Sequence, residues 1–201
     1  MKKEKICHQF GLWNSPFSPL SLSRELTFSD VAWNQDGSLV WSEKSSERNA
    51  LVVKNPGDQA PRNLNDLYSA RAWVGYGGGD FTVGHGHVYF VEADSCIFYQ
   101  QPLHVGYAHP ITPEFGGIAS PELSPDGRWL LFIHSYENKD SVGIVDVDGQ
   151  HWPGKLVSGD DFYMHPTWHP KSELVAWIAW NHPQMPWDGT TLRLGTLAGS
   201  S

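Results

Sequence analysis

The chain is predicted to be all-β: a β-propeller of about four blades, each of four antiparallel strands, forming part of a ring. Three observations predict this. First, a cassette of apolar strand, tight polar turn and second apolar strand reads Val31-Ala-Trp-Asn-Gln-Asp-Gly-Ser-Leu-Val-Trp41 and returns as Pro121-Glu-Leu-Ser-Pro-Asp-Gly-Arg-Trp-Leu-Leu131. A worn third copy spans 166–176, so Asp36, Asp126 and Lys171 share one place at offsets of 90 and 45 residues. Hairpins repeating with such a period are the signature of propeller blades. Second, ten Trp, twenty Gly and fourteen Pro suit many short strands joined by turns, with flat aromatics filling the space between stacked sheets. Third, long helical periodicity is absent.

Residues 1–26 read as a lead-in, with Trp13 and Phe17 packing it onto the body and a short helical turn over 21–27. The propeller occupies 27–201, with blades near 27–66, 67–115, 116–159 and 160–201. Blade one turns at Asp36-Gly37 and continues to the strand 49–54, which Asn55-Pro-Gly-Asp58 terminates. Blade two opens near Ala70, turns at His85-Gly86 and has its third strand at 95–99. Blade three has strands around Glu122, 129–134 and 142–147, the last ending at Asp148-Gly149. Blade four has strands at 167–168, 174–180 and 191–197. The inner strands are almost wholly apolar, as expected where sheets pack face to face and both faces are buried. Asp-Gly at the turns supplies the positive φ that two-residue hairpins need, so Asp36 and Asp126 are structural and not general acids. An arc of four blades leaves two exposed edges, which calls for more blades or a second copy.

Composition narrows the function. A formal net charge of −8 argues against a nucleic-acid surface, and the basic start Lys2-Lys3-Glu4-Lys5 reads as solvated chain. Cys7 and Cys96 form no CxxC pair, so neither a zinc ribbon nor a disulfide framework is expected. No apolar run has the length of a signal peptide core or a membrane helix, and a cytoplasmic location without membrane contact is expected.

Three segments carry a likeness beyond the generic propeller: Gly11-Leu-Trp-x-Ser-Pro-x-Ser-Pro19, Tyr76-Gly-Gly-Gly79 and Trp180-Asn-His-Pro-Gln-Met-Pro-Trp-Asp-Gly189. Gly159-Asp-Asp-Phe-Tyr163 and Ser124-Pro-Asp-Gly127 add to it. Together they resemble the N-terminal propeller of prolyl oligopeptidase-family serine peptidases, in the acylaminoacyl-peptidase or dipeptidyl-aminopeptidase-like branch. That resemblance implies an α/β-hydrolase domain as partner, carrying a Ser-Asp-His triad on a G-x-S-x-G elbow, and a peptide substrate. This sequence contains no G-x-S-x-G, so no catalytic residue is assigned and the chain alone is expected to be inactive. The implied role is to gate and position peptides, without a cofactor. The alternative is a free-standing TolB-like propeller that serves as a protein-interaction scaffold. Family members commonly carry His-Glu before Tyr-Gly-Gly-Gly, where this chain has Val74-Gly75; that departure puts a role in binding a peptide amine at this position in doubt.

The candidates for the substrate route or a domain contact are Tyr76, Asp80, His182, Trp187 and Asp188. The loop 180–189 interrupts two strands; Pro183 and Pro186 stiffen it, Trp187 is placed to plug a pocket against a neighbouring blade or domain, and Asp188 to accept backbone N–H groups near Gly189. Gly77-Gly78-Gly79 lacks the Lys-Ser/Thr and helix of a phosphate loop, so crowding of backbone near the axis explains it better. His85 and His87, with Asp80 as a neighbouring carboxylate, and the pair His165 and His169 raise a metal site. His85 falls in a turn and no carboxylate is fixed by spacing, so no metal is assigned.

Overall fold

Fifteen strands in four small antiparallel sheets make up the computed structural model, which describes residues 7, 9–11, 26–76, 78–171 and 173–197. The lead-in 12–25 and its Trp13 and Phe17 lie outside the described residues. Sheet 1 is β1 (Thr27–Trp33), β2 (Leu39–Lys44), β3 (Asn49–Lys54) and β4 (Arg62–Asn63). Sheet 2 is β5 (Phe81–Gly84), β6 (His87–Val91), β7 (Phe98–Pro102) and β8 (His109–Pro110). Sheet 3 is β9 (Gly117–Leu123), β10 (Trp129–Tyr136), β11 (Lys139–Asp146) and β12 (Gly154–Val157). Sheet 4 has β13 (Phe162–Trp168), β14 (Leu174–Trp180) and β15 (Thr191–Thr196), three described strands where four were expected. Each sheet is a meander, and the four are arranged as a four-bladed propeller arc.

The core lies between the sheets. Val40, Leu51 and Val53 of sheet 1 meet Phe81, Val88 and Phe90 of sheet 2. The other face of sheet 2, with Tyr89, Val91 and Phe98, meets Ile118, Leu130, Phe132 and Val145 of sheet 3. Leu131, Ile133 and Val142 then meet Tyr163, Trp168, Val175 and Trp177 of sheet 4. Neighbouring residues along β6 and β10 thus point to opposite interfaces, which is why these strands read as unbroken apolar runs. Each fully buried Leu, Val or Phe contributes about 2 kcal/mol. At Gly143 a Cβ would come within 2.4 Å of the Phe132 ring, so glycine is what lets that ring lie flat across the facing strand.

The inner strands bulge. Pairing slips between Phe28 and Val31 in β1, beside Ala119–Glu122 in β9, and between Met164 and Thr167 in β13. Ser120 (φ 53°) and His165 (φ 51°) hold the left-handed conformation at the same step of their blades. These bulges bend the strands that line the axis.

The turns differ from the sequence-based expectation. Asp36 and Asp126 are not among the positive-φ residues; only the following Gly37 (φ 87°) and Gly127 (φ 73°) are, in connections longer than two residues. The two-residue hairpins with both φ values positive are His85-Gly86 and Glu137-Asn138. Asp36 works through its side chain: Oδ1 accepts the Ser38 N–H at 2.8 Å, and Oδ2 lies 3.2 Å from His104 Nε2. Asp126 Oδ1 accepts the Ser124 hydroxyl at 2.6 Å. β7 begins at Phe98 and not Ser95, because Glu92 Oε2 accepts the N–H of Asp94 and Ser95 and the Ser95 hydroxyl, forming a turn there.

Successive inner turns grip one another. Gln35 Oε1 and Asn34 Oδ1 in blade one accept the N–H groups of His85 and Gly86 at 3.0 and 3.2 Å. The His85 ring in turn lies over Gly127 and pairs with the Pro125 carbonyl at 3.1 Å.

The Ser38 N–H holds the Asp36 carboxyl well below the usual carboxylate range, and the Ser124 hydroxyl lowers that of Asp126. A carboxyl with a lowered folded pKa adds stability above its unfolded value and loses that stability as pH falls through its folded value. Stability should therefore decline on acidification below about pH 4. Asp36→Asn combined with Asp126→Asn should flatten the acid limb of a plot of Tm against pH. An acid limb as steep as wild type would assign it to other carboxyls.

Candidate functional site

At one rim of the arc, three segments distant in sequence converge. Tyr76, from the link between blades one and two, sits edge-on to Phe162 (5.1 Å) and to Trp180 (5.5 Å). Phe162 and Trp180 stack at 5.2 Å, and His182 meets Phe162 edge-on at 4.8 Å. These edge-to-face contacts are worth about 1 kcal/mol each beyond the area they bury. Tyr76 Oη also reaches Met185 Sδ at 3.6 Å. Two of the expected candidates, Tyr76 and His182, thus belong to one aromatic cluster.

The loop after β14 is built from two tight turns. Gln184 N–H donates to the Asn181 carbonyl at 3.1 Å, and the His182–Pro183 peptide is cis. Asp188 N–H donates to the Met185 carbonyl at 2.9 Å, while Asp188 Oδ2 accepts the Met185 N–H at 3.2 Å. Asp188 therefore accepts a backbone N–H, from Met185 at the start of the turn. Trp187 is 74% exposed and plugs no pocket between the described blades.

Asp160 and Asp161 anchor the root of this loop, a role the sequence reading did not assign. Asp160 Oδ1 accepts from Asn181 Nδ2 at 2.9 Å and from Arg193 Nη2 at 2.8 Å. The Asp161 N–H donates to Asn181 Oδ1 at 2.7 Å, and Asp161 Oδ2 accepts the His182 N–H at 2.9 Å. Tyr163 Oη accepts the Asp160 N–H at 2.8 Å. The Asp-Asp pair in Gly159-Asp-Asp-Phe-Tyr163 was the available signal, because paired short carboxylates before a strand commonly bind neighbouring backbone.

Beside the cluster lies a cleft of about 480 Å³, with Trp73, Gly75, Glu137, Asp140, Phe162 and His182 in its walls. Burial pushes the Asp140 carboxyl above its ordinary range, and the Ser135 hydroxyl only partly offsets this. Among the described residues neither Glu137 nor Asp140 has a Lys or Arg ion-pair partner. The cleft is aromatic on two sides and carries negative charge on a third.

Asp80 lies elsewhere. It is 5% exposed, between blades one and two, where Oδ1 accepts the Ala72 N–H at 2.9 Å and Oδ2 pairs with Lys44 Nζ at 3.0 Å. Gly79 passes close to the third blade: a Cβ there would lie 3.2 Å from Ser120 Cα, and its carbonyl accepts the Ser120 N–H at 3.0 Å. Backbone crowding near the axis thus accounts for Gly79. An axial pocket of about 400 Å³ takes Asp30, Thr82, Ser120, Glu122, His165 and Thr167 from all four inner strands, with Gly79 beside them. Burial raises the Glu122 carboxyl there. His85 Nε2 is committed to the Pro125 carbonyl and His87 Nδ1 to the His85 carbonyl at 3.0 Å. Among the described residues no three His, Cys, Asp or Glu side chains gather as a metal would require.

Tyr76, the Asp160-Asp161 segment and the loop 181–190 thus meet at one rim of a propeller arc. Solved structures share this architecture. A puromycin-hydrolyzing peptidase of Mycobacterium tuberculosis is similar at 26% identity and a TM-score of 0.77, over 93% of this chain and 32% of that one. A puromycin hydrolase is similar at 25% identity and a TM-score of 0.75, over 92% of this chain and 32% of that one. Both are prolyl oligopeptidase-family peptidases, matched over their propeller part. The putative TolB of Agrobacterium tumefaciens shares the fold at 17% identity and a TM-score of 0.63, over 84% of this chain and 61% of that one. No family model and no curated protein matches the chain. It spans about a third of the length of the peptidases it resembles.

Asp160→Ala should release Asn181 and Arg193 together, costing about 1–2 kcal/mol. Limited proteolysis within 181–190 should then quicken several-fold, as followed by mass spectrometry. Cleavage at the wild-type rate would show that Asp160 does not hold the loop.

Proposed function

We propose that this chain is a non-catalytic propeller segment of a prolyl oligopeptidase-like serine peptidase, one that gates or positions peptides for a hydrolase domain. The observation that carries this is the likeness, along 93% of the chain, to the propeller part of a peptidase three times longer. The convergence of Tyr76, Phe162, Trp180 and His182 beside a cleft supports it, because these residues come from the segments that resemble the family. On this reading the chemistry is nucleophilic attack by a serine that this sequence lacks, and the propeller acts by exclusion and placement. The finer assignment is to the acylaminoacyl-peptidase or dipeptidyl-aminopeptidase-like branch, in the cytoplasm, where two unpaired thiols stay reduced.

The cleft adapts this reading to the missing carboxylate at Gly75. Glu137 and Asp140 supply negative charge from the β10–β11 hairpin, and Trp73, Phe162 and His182 supply flat apolar walls. A peptide α-ammonium fits there, and its charge would draw the raised Asp140 pKa back down.

The second reading, a TolB-like scaffold, is favoured by the TolB match, which covers 61% of that chain against 32% of the peptidase.

Three experiments test the first reading. The chain alone should not react with a serine-directed fluorophosphonate, and stoichiometric labelling would place a nucleophile here. Fused ahead of a family hydrolase domain, it should restrict cleavage to short peptides, whereas equal rates on short peptides and a casein-sized substrate would sink the gating role. In that fusion Asp140→Asn should raise KM about tenfold for peptides with a free amine while sparing kcat and N-acetylated peptides. An equal effect on both substrates would make Asp140 structural.

A further inference from the structure

Between blades two and three, beside the outermost strand of sheet 3, lies a slot of about 440 Å³. It is separate from the rim cleft, whose wall residue Ser135 points to the other face of β10. Alternation along β10 puts Phe132, His134 and Tyr136 on the slot's side, and cross-strand pairing sets Gly143 against Phe132 and Ser141 against His134. Because these two partners are small, β10 supplies a wall of rings and β11 a low floor. Phe115 stacks on His134 at 4.9 Å, and its carbonyl accepts the His134 Nε2–H at 2.8 Å, which fixes the imidazole. Tyr136 continues the wall, its ring 6.4 Å from His134 and 8° from parallel. Trp152, 73% exposed, stands at the mouth.

Three polar groups line this slot. Ser141 is 2% exposed, and among the described residues its hydroxyl has no hydrogen-bond partner. A buried hydroxyl left so is destabilising until a polar group meets it. Glu114, from the link into β9, and Lys155, in β12, are exposed, and neither has an ion-pair partner among the described residues. The slot therefore carries one negative and one positive charge at its mouth, rings along its wall and a hydroxyl at its base. Small-molecule sites have this make-up, largely apolar with a few convergent polar groups.

We infer that the slot binds a free aromatic amino acid with a ring hydroxyl, of which L-tyrosine is the simplest. The occupant follows from complementarity. A flat ring lies along His134 and Tyr136 as a further member of their stack. Its hydroxyl meets Ser141 at the base. The α-carboxylate pairs with Lys155 and the α-ammonium with Glu114, so a zwitterion answers both charges where a simple amine or acid answers one. The inference does not rest on the peptidase reading. The chain alone is what is tested, and failure there leaves that reading as it stands.

Ligand-observed NMR on the 201-residue chain tests it with L-tyrosine and three probes that each lack one group. These are L-phenylalanine without the hydroxyl, tyramine without the carboxylate and desaminotyrosine without the ammonium. Tyrosine should bind with a Kd on the order of 1 mM, as suits so small a ligand. Each truncated probe should bind about threefold to tenfold more weakly. Ser141→Ala should erase the preference over phenylalanine alone, Lys155→Met that over tyramine alone, and Glu114→Gln that over desaminotyrosine alone. Circular dichroism melts confirm that each variant folds; should Ser141→Ala lose its cooperative transition, the two surface variants carry the test. Absence of saturable tyrosine binding overturns the inference. So does a truncated probe that binds as well as tyrosine, or a preference that survives loss of its assigned side chain. Equal binding of N-acetyl-L-tyrosinamide also overturns it, because the slot would then take a side chain within a peptide.

Discussion

The whole arrangement depends on sheets that bury both faces. A small meander of three or four strands has too little apolar surface to stand alone, so each blade is stable because of its neighbours. Sheets 2 and 3 are enclosed on both sides and contribute Tyr89, Phe90, Phe98, Leu130, Leu131, Phe132 and Ile133, among the most deeply buried side chains in the molecule. Among the described residues, sheets 1 and 4 are enclosed on one side. Burial among the described residues is therefore deepest in the middle of the arc.

The rim site follows from this rigid frame. Phe162 and Trp180 begin and end strands whose alternate residues are locked against sheet 3, so their rings are carried on fixed backbone. Tyr76 arrives from a different blade and closes the cluster from above. The loop 181–190 needs little internal packing, because Asp160 and Asp161 bind its root through side-chain and backbone groups. A site assembled this way positions groups by scaffold and not by loop flexibility.

Much of the fold was legible in the sequence. The offsets of 45 and 90 residues marked equivalent turns, and the apolar runs over 129–134 and 174–180 marked strands buried on both sides. The short outer strands β4, β8 and β12 were not legible, because two to four residues at an exposed edge carry no period. The bulges at Ser120 and His165 were likewise hidden, although Ser120-Pro121 and His165-Pro166 repeat at the 45-residue spacing. Pattern reading registers hydrophobicity and turn residues, and a slip in pairing changes neither. At the site, Tyr76 and His182 were legible through their motifs, but their contact was not. Asp80 looked like a rim residue from its place beside the glycines, yet Lys44 and the Ala72 amide hold it inside. Trp187 looked like a plug because it is large, and its surroundings, which decide whether it is one, lie outside local sequence.

The handclasp between inner turns has a consequence for how such a chain can vary over time. Asn34 and Gln35 bind the backbone of the next turn, and His85 reaches the one after that, so the three hairpin tips form a fixed-pitch ladder. Adding or deleting one residue in a tip would shift its contact out of reach on both sides. Among the described residues, the outer connection 147–153 carries no such bond between tips and can absorb changes in length. Drift should therefore lengthen or shorten blades at their periphery while the hairpin tips keep their length.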